Sequence, residues 1–152
     1  MSTFEEEPQI EPAGVAHRFV AVLIDGVLLL VLALLLAFLT GGTYSTSANG
    51  VHTWGFTLSG GGAVVWVLLA FAYYVVLETL SGATLGKMAV GLRVVDKYGD
   101  PIGWGAAVIR NLLRLVDGLF FYLVAAIAVW SSSARQRLGD RAAHTYVVRP
   151  LV

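Results

Sequence analysis

The chain has no cysteine among its 152 residues, so it carries no disulfide framework, no thiol nucleophile and no Cys-ligated metal. Charge is also scarce. Only 13% of residues are charged, against roughly 25% in an average soluble domain, while 57% are hydrophobic. Between Thr40 and Val76 there is no Lys, Arg, Asp or Glu. No H-E-x-x-H or P-loop spacing is present, and His17, His52 and His144 are scattered rather than clustered. The Gly-Lys pair of the SGATLGKM stretch lacks P-loop spacing and reads as a helix-end loop, with Lys87 placed to meet anionic lipid. A non-enzyme with no cofactor and no metal site is the expectation.

What the chain does have is long apolar runs. From Phe19 to Leu39 the single ionisable side chain is Asp25, with Arg18 just before the run. A bilayer-spanning helix needs about 20 such residues at about 1.5 Å each. An Asp inside a span costs about 2.5–3.5 kcal/mol on insertion scales, so it is expected to face a partner or a water-filled cavity. Arg18 shares a helix face with Asp25 but lies roughly 10 Å away along the axis, beyond direct pairing.

The second span runs from about Ala63 to Leu80, with Trp66 near one end and Tyr73, Tyr74 and Glu78 toward the other. Glu78 reads either as an interfacial carboxylate in headgroup water or as a contributor to a shared polar site. Trp54, Trp66, Tyr73 and Tyr74 read as interface anchors. The Gly/Ser/Thr-rich stretch between the spans has a loop at its centre. A third apolar segment, about 115–131, is short for a crossing and reads as re-entrant or interfacial, with a true third span as the alternative.

The acidic and basic residues balance at ten each, but Glu5, Glu6, Glu7 and Glu11 leave the rest of the chain basic. Basic membrane-flanking segments point to the positive-inside rule rather than to nucleic acid. Residues 1–12 read as a disordered acidic tail, and the lack of a basic n-region makes the first helix an uncleaved anchor. Both termini are expected in the cytoplasm, because a third full crossing would export Arg135, Arg137, Arg141 and Arg149. Leu92–Asp96 reads as a strand followed by a Tyr98–Pro101 turn, forming a small cytoplasmic hairpin-like element. Thr145–Arg149 is a further strand that pairs with it. Residues 104–116 form an amphipathic helix with Arg110, Arg114 and Asp117 on one face.

Several of these strings, taken together, resemble the RDD family of small integral membrane proteins, named for one arginine and two aspartates. They are Arg18-x-x-Ala21-x-x-x-Asp25, Gly82-Ala-Thr-Leu-Gly-Lys87, Gly91-Leu-Arg-Val-Val-Asp96, Arg110-Asn-Leu-Leu-Arg114 and Arg135-Gln-Arg-Leu-Gly-Asp140, closed by the Thr145–Arg149 strand. The resemblance covers residues 13–150 as a single domain. It maps the first aspartate to Asp25 and the second to Asp140, with Asp117 the other claimant. His144 departs from the pattern by standing where a small glycine turn is expected.

The resemblance implies membrane residence and, for some members, sodium/proton exchange. The expectation is therefore an all-α, multi-pass plasma-membrane protein with two transmembrane helices. It carries a charge network of Arg18, Asp25 and Asp140 with Arg110, Arg114, Asp117 and Glu78. Two readings of that network stand side by side. In one, the chain is transport-related and exchanges Na+ and H+ as a homo-oligomer, since two or three spans cannot enclose a pathway alone. In the other, the network pins the fold of a non-transporting scaffold or accessory subunit with a membrane-protein partner.

Overall fold

The computed structural model describes residues 12–119, 136 and 138–149, with 115–119 described by backbone alone. The acidic tail up to residue 11, the side chain of Asp117 and nearly all of the third apolar segment, about 115–131, lie outside the described residues.

The first helix, α1 (Val15–Leu39), is built of Val, Leu and Ala, with one glycine and no proline to interrupt it. It stops at Thr40, whose hydroxyl donates to the Leu36 carbonyl at 2.8 Å, and Gly41 then takes a left-handed φ of 69°. A second long helix, α2 (Gly61–Ser81), is terminated by Gly82 at φ 69°, again the left-handed conformation that favours glycine at a helix end.

Both helices are long and apolar enough to cross a membrane. Their large side chains, including Phe19, Leu23, Val27, Val64 and Leu68, point outward and are exposed. A core helix of a water-soluble protein would bury them, whereas lipid receives them. Where the helices meet, small residues such as Ala21, Ala33 and Ala37 are buried, and Trp66 Nε1 donates to the Leu29 carbonyl at 3.1 Å.

The connection between α1 and α2 is a correction to the loop expected there. It is an antiparallel hairpin of β1 (Thr43–Ala48) and β2 (Val51–Phe56). Asn49 and Gly50 close it with φ of 51° and 78°, the pair of positive values that a two-residue type I′ turn requires.

Beyond α2 the chain forms α3 (Leu85–Ala89), β3 (Arg93–Asp96), α4 (Trp104–Leu119), α5 (Leu138–Ala142) and β4 (Thr145–Val148). As the sequence suggests, β3 pairs antiparallel with β4, from Arg93 opposite Val148 to Asp96 opposite Thr145. Val95 bridges Pro101 to close the small turn after β3. The start of the described chain joins this sheet: Pro12 bridges Val148, and Ala13 N–H donates to the Val147 carbonyl at 2.9 Å.

The apolar core gathers Ala13, Ala21, Val75, Leu92, Val94, Ile102, Ala107 and Val147, and so joins the N-terminal part of α1 and the C-terminal part of α2 to α4 and the sheet. The fold is thus mixed helix and strand, which corrects the all-α expectation. The four strands are short, and a period-2 signal over four to six residues is weak beside two long apolar helices.

Candidate functional site: a buried polar core

Gly82 turns the chain back at the end of α2, and the turn delivers Thr84, Gly86 and Lys87 against the two long helices. Thr84 caps α3, its hydroxyl accepting from Lys87 N–H at 3.3 Å. The same hydroxyl donates to Asp25 Oδ2 at 2.7 Å.

Asp25 is fully buried and takes two more donors on Oδ1, the Tyr73 hydroxyl at 2.7 Å and Gly86 N–H at 2.8 Å. Tyr73 in turn accepts from Leu85 N–H at 3.2 Å. Gly86 is obligatory at this spot. A Cβ there would collide with the Ala21 carbonyl and sit 2.7 Å from Asp25 Oδ1.

This arrangement corrects the network expected around Asp25. Its bonded partners among the described residues are neutral groups from α2 and α3. Arg18 and Asp140 meet elsewhere, because α3 packs into the space beside Asp25 that they would need.

The charges assemble one layer nearer the sheet. Glu78, also fully buried, receives the Lys87 ammonium on Oε1, and on Oε2 it receives Arg110 Nε at 3.2 Å and Asn111 Nδ2 at 3.0 Å. Arg110 NH1 continues to Asp140 Oδ1 at 2.8 Å and to the Thr145 hydroxyl at 2.5 Å. Arg18 NH1 holds Asp140 Oδ2 at 3.1 Å, while its Nε reaches the Ala13 carbonyl at 3.2 Å and its NH2 the Val147 carbonyl at 3.3 Å.

One chain of alternating charge, Lys87, Glu78, Arg110, Asp140 and Arg18, therefore ties α3, α2, α4, α5 and α1 together. Burial works against the Arg110 charge, but Asp140 and then Glu78 outweigh it and hold its pKa above the ordinary arginine value.

Arg114 faces the same interior but enters no ion pair among the described residues. Its guanidinium carbon stacks 3.7 Å from the Tyr74 ring centroid, and its buried NH2 has no hydrogen-bond partner among the described residues. Glu78 is not an exposed headgroup carboxylate, and Lys87 is buried against it rather than turned to lipid. Sequence reasoning left out Tyr73, Thr84, Gly86 and Asn111 as members of this core. A Thr just before a short helical stretch was the cue for a cap, but nothing local announces that the cap also serves a distant carboxylate. Among the described residues no group of three or more His, Cys, Asp or Glu could hold a metal ion.

The sequence pattern of the RDD family matches residues 12–144, which takes in every side chain of this polar core except that of Thr145. The chain is 28% identical to an uncharacterised protein, YxaI, of Bacillus subtilis over 127 residues, covering 74% of this chain and 82% of that one. It is also 32% identical over 79 residues to a proline-rich antigen of Mycobacterium leprae, covering 49% of this chain and 31% of the antigen. A proline-rich antigen homolog of Mycobacterium tuberculosis is 31% identical over 68 residues, 44% of this chain and 28% of that protein. The chain thus spans about a third of the length of these mycobacterial relatives. No solved structure matches it.

Proposed function

Since the chain belongs to the RDD family, we propose that it is a multi-pass, non-enzymatic protein of the cell membrane that works as a scaffold or accessory subunit, joined to a second copy or to another membrane protein. The observation that carries this reading is the closed charge chain from Lys87 to Arg18, in which Glu78 and Asp140 are each held by two cations. Breaking one partner of a buried pair costs about 3–5 kcal/mol, so fold maintenance alone accounts for these residue types.

Sidedness follows the same logic. The bridges from Pro12 to Val148 and from Ala13 to Val147 put both ends of the described chain on one face. Arg93, Lys97, Arg141 and Arg149 lie on or beside that sheet, whereas the hairpin at the other end of α1 and α2 has no charge. The positive-inside rule makes the sheet side cytoplasmic.

A second reading, exchange of a monovalent cation and a proton by an oligomer, draws on a different observation. Asp25 is a buried carboxylate within α1 whose three donors are all neutral. An Asp25→Asn variant separates the two. The amide keeps an oxygen for Tyr73 and Gly86 and can turn its NH2 to the Thr84 hydroxyl, so the fold tolerates it. In proteoliposomes with an imposed pH gradient, the scaffold reading expects sodium to leave the gradient intact in both proteins. Sodium-driven collapse in the parent that Asp25→Asn abolishes would overturn it in favour of exchange.

A further inference from the structure

The helix α4 is inside out. Arg110, Asn111 and Arg114 all point into the protein, at 4%, 4% and 8% exposure. The apolar residues Trp104, Ile109 and Leu112 point away from it, at 54%, 43% and 51%. An amphipathic helix lying at a water interface shows the opposite arrangement, with its charged face to solvent. The same inversion occurs in α3, where Gly86 and Lys87 are buried while Leu85 and Met88 are exposed.

Both helices pack at a defined depth. Gly86 of α3 donates to Asp25, well inside α1, and Arg110 and Asn111 of α4 reach Glu78, in the last turn of α2. At this level the long helices present their own apolar side chains outward, Phe19 and Leu23 on α1 and Leu80 on α2. The outward faces of α3 and α4 therefore continue the apolar surface of the two helices instead of interrupting it.

We infer that α3 and α4 are immersed in the inner leaflet, with Leu85, Met88, Ile109 and Leu112 in contact with lipid acyl chains. The Glu78–Arg110–Asp140 charges then lie below the membrane surface, wrapped by protein that itself touches lipid. The sheet of β3 and β4 is the part that meets water. This inference rests on the membrane residence of α1 and α2 and on the cytoplasmic placement of the sheet, and holds for either reading of function.

The absence of cysteine makes the test direct, since each single-cysteine variant carries one label. Nitroxide labels at Met88→Cys, Ile109→Cys and Leu112→Cys, with Leu23→Cys and Tyr98→Cys as references, would be studied on the full chain in phospholipid bilayers. Collision with dissolved oxygen reports lipid, and collision with a water-soluble nickel chelate reports water. The expected result is an oxygen preference at positions 88, 109 and 112 matching that at 23, with the reverse at 98. All five positions are exposed in the fold, so the labels do not have to enter the core.

Nickel preference at 109 and 112, with oxygen preference kept at 23, would overturn the inference and leave the spanning helices intact. Shielding from both reagents would also overturn it, by showing a second copy or a protein partner on that face. Nickel preference at 23 as well would remove the membrane premise itself.

Discussion

Glu78 on α2 and Asp140 on α5 share one guanidinium: Arg110 donates Nε to the first at 3.2 Å and NH1 to the second at 2.8 Å. Two buried carboxylates, each also held by a cation of its own, Lys87 for Glu78 and Arg18 for Asp140, are thereby fastened to each other. The planar fork of arginine is what allows it, since its donors sit on separate nitrogens in fixed directions, whereas the three donors of a lysine ammonium all radiate from one atom.

Replacing Arg110 with methionine should therefore destabilise the protein severely, by about 3–5 kcal/mol, because two desolvated carboxylates lose their common cation. Arg110→Lys should recover only part of that loss. Thermal unfolding of the detergent-solubilised protein measures both, and a methionine variant as stable as the parent would show that the shared guanidinium is not what holds α2 to α5.

Two glycines should respond in opposite ways to alanine. At Gly86 a Cβ meets the Ala21 carbonyl and the Asp25 carboxylate, so Gly86→Ala is expected to cost about 1–3 kcal/mol and to loosen α3 from α1. At Gly26, one residue from the same carboxylate in sequence, a Cβ meets nothing within 4 Å. Gly26→Ala in the middle of α1 should be neutral or stabilising by about 0.5–1 kcal/mol. Unfolding midpoints, together with protease access at Lys87, distinguish the pair.

His144 holds a left-handed φ of 51° between α5 and β4. A side chain in that region costs about 1–2 kcal/mol, part of which a glycine would recover against its greater freedom when unfolded. His144→Gly is thus expected to raise the unfolding midpoint slightly, and a lowered midpoint would mean that the imidazole makes a contribution larger than its backbone strain.

Much of this architecture is legible in the residues. Two apolar runs announce α1 and α2. The matching strings LRVVD and TYVVR announce the β3–β4 pair. The hairpin of β1 and β2 was missed, although Asn49-Gly50 between residues of strand propensity is a type I′ signal, because a low-charge, Gly/Ser/Thr-rich composition masks it.

The partners of Asp25 were not legible. A carboxylate in an apolar helix suggests a search for a cation, and the helix supplies one in Arg18. The solution adopted is a hydroxyl from α2 and the first turn of a five-residue helix, brought in by a single left-handed glycine, Gly82. Such a contact is set by the path of the chain in space rather than by any spacing along it. Glu78 and Lys87 meet through the same reversal, which is why each on its own reads as an interfacial charge.

Because Asp140 lies in α5 and its partners Arg18 and Arg110 lie in α1 and α4, the order of synthesis matters. A ribosome delivers Arg18, Glu78 and Arg110 well before Asp140 exists. Until residues 138–148 emerge and β4 adds itself to β3, the half-assembled protein holds cations with a place reserved for a carboxylate that has not yet been made. Residues 138–148, made after every other member of the charge chain, are thus its latch, and a chain interrupted before Asp140 is expected to leave Arg18 and Arg110 without the carboxylate they share.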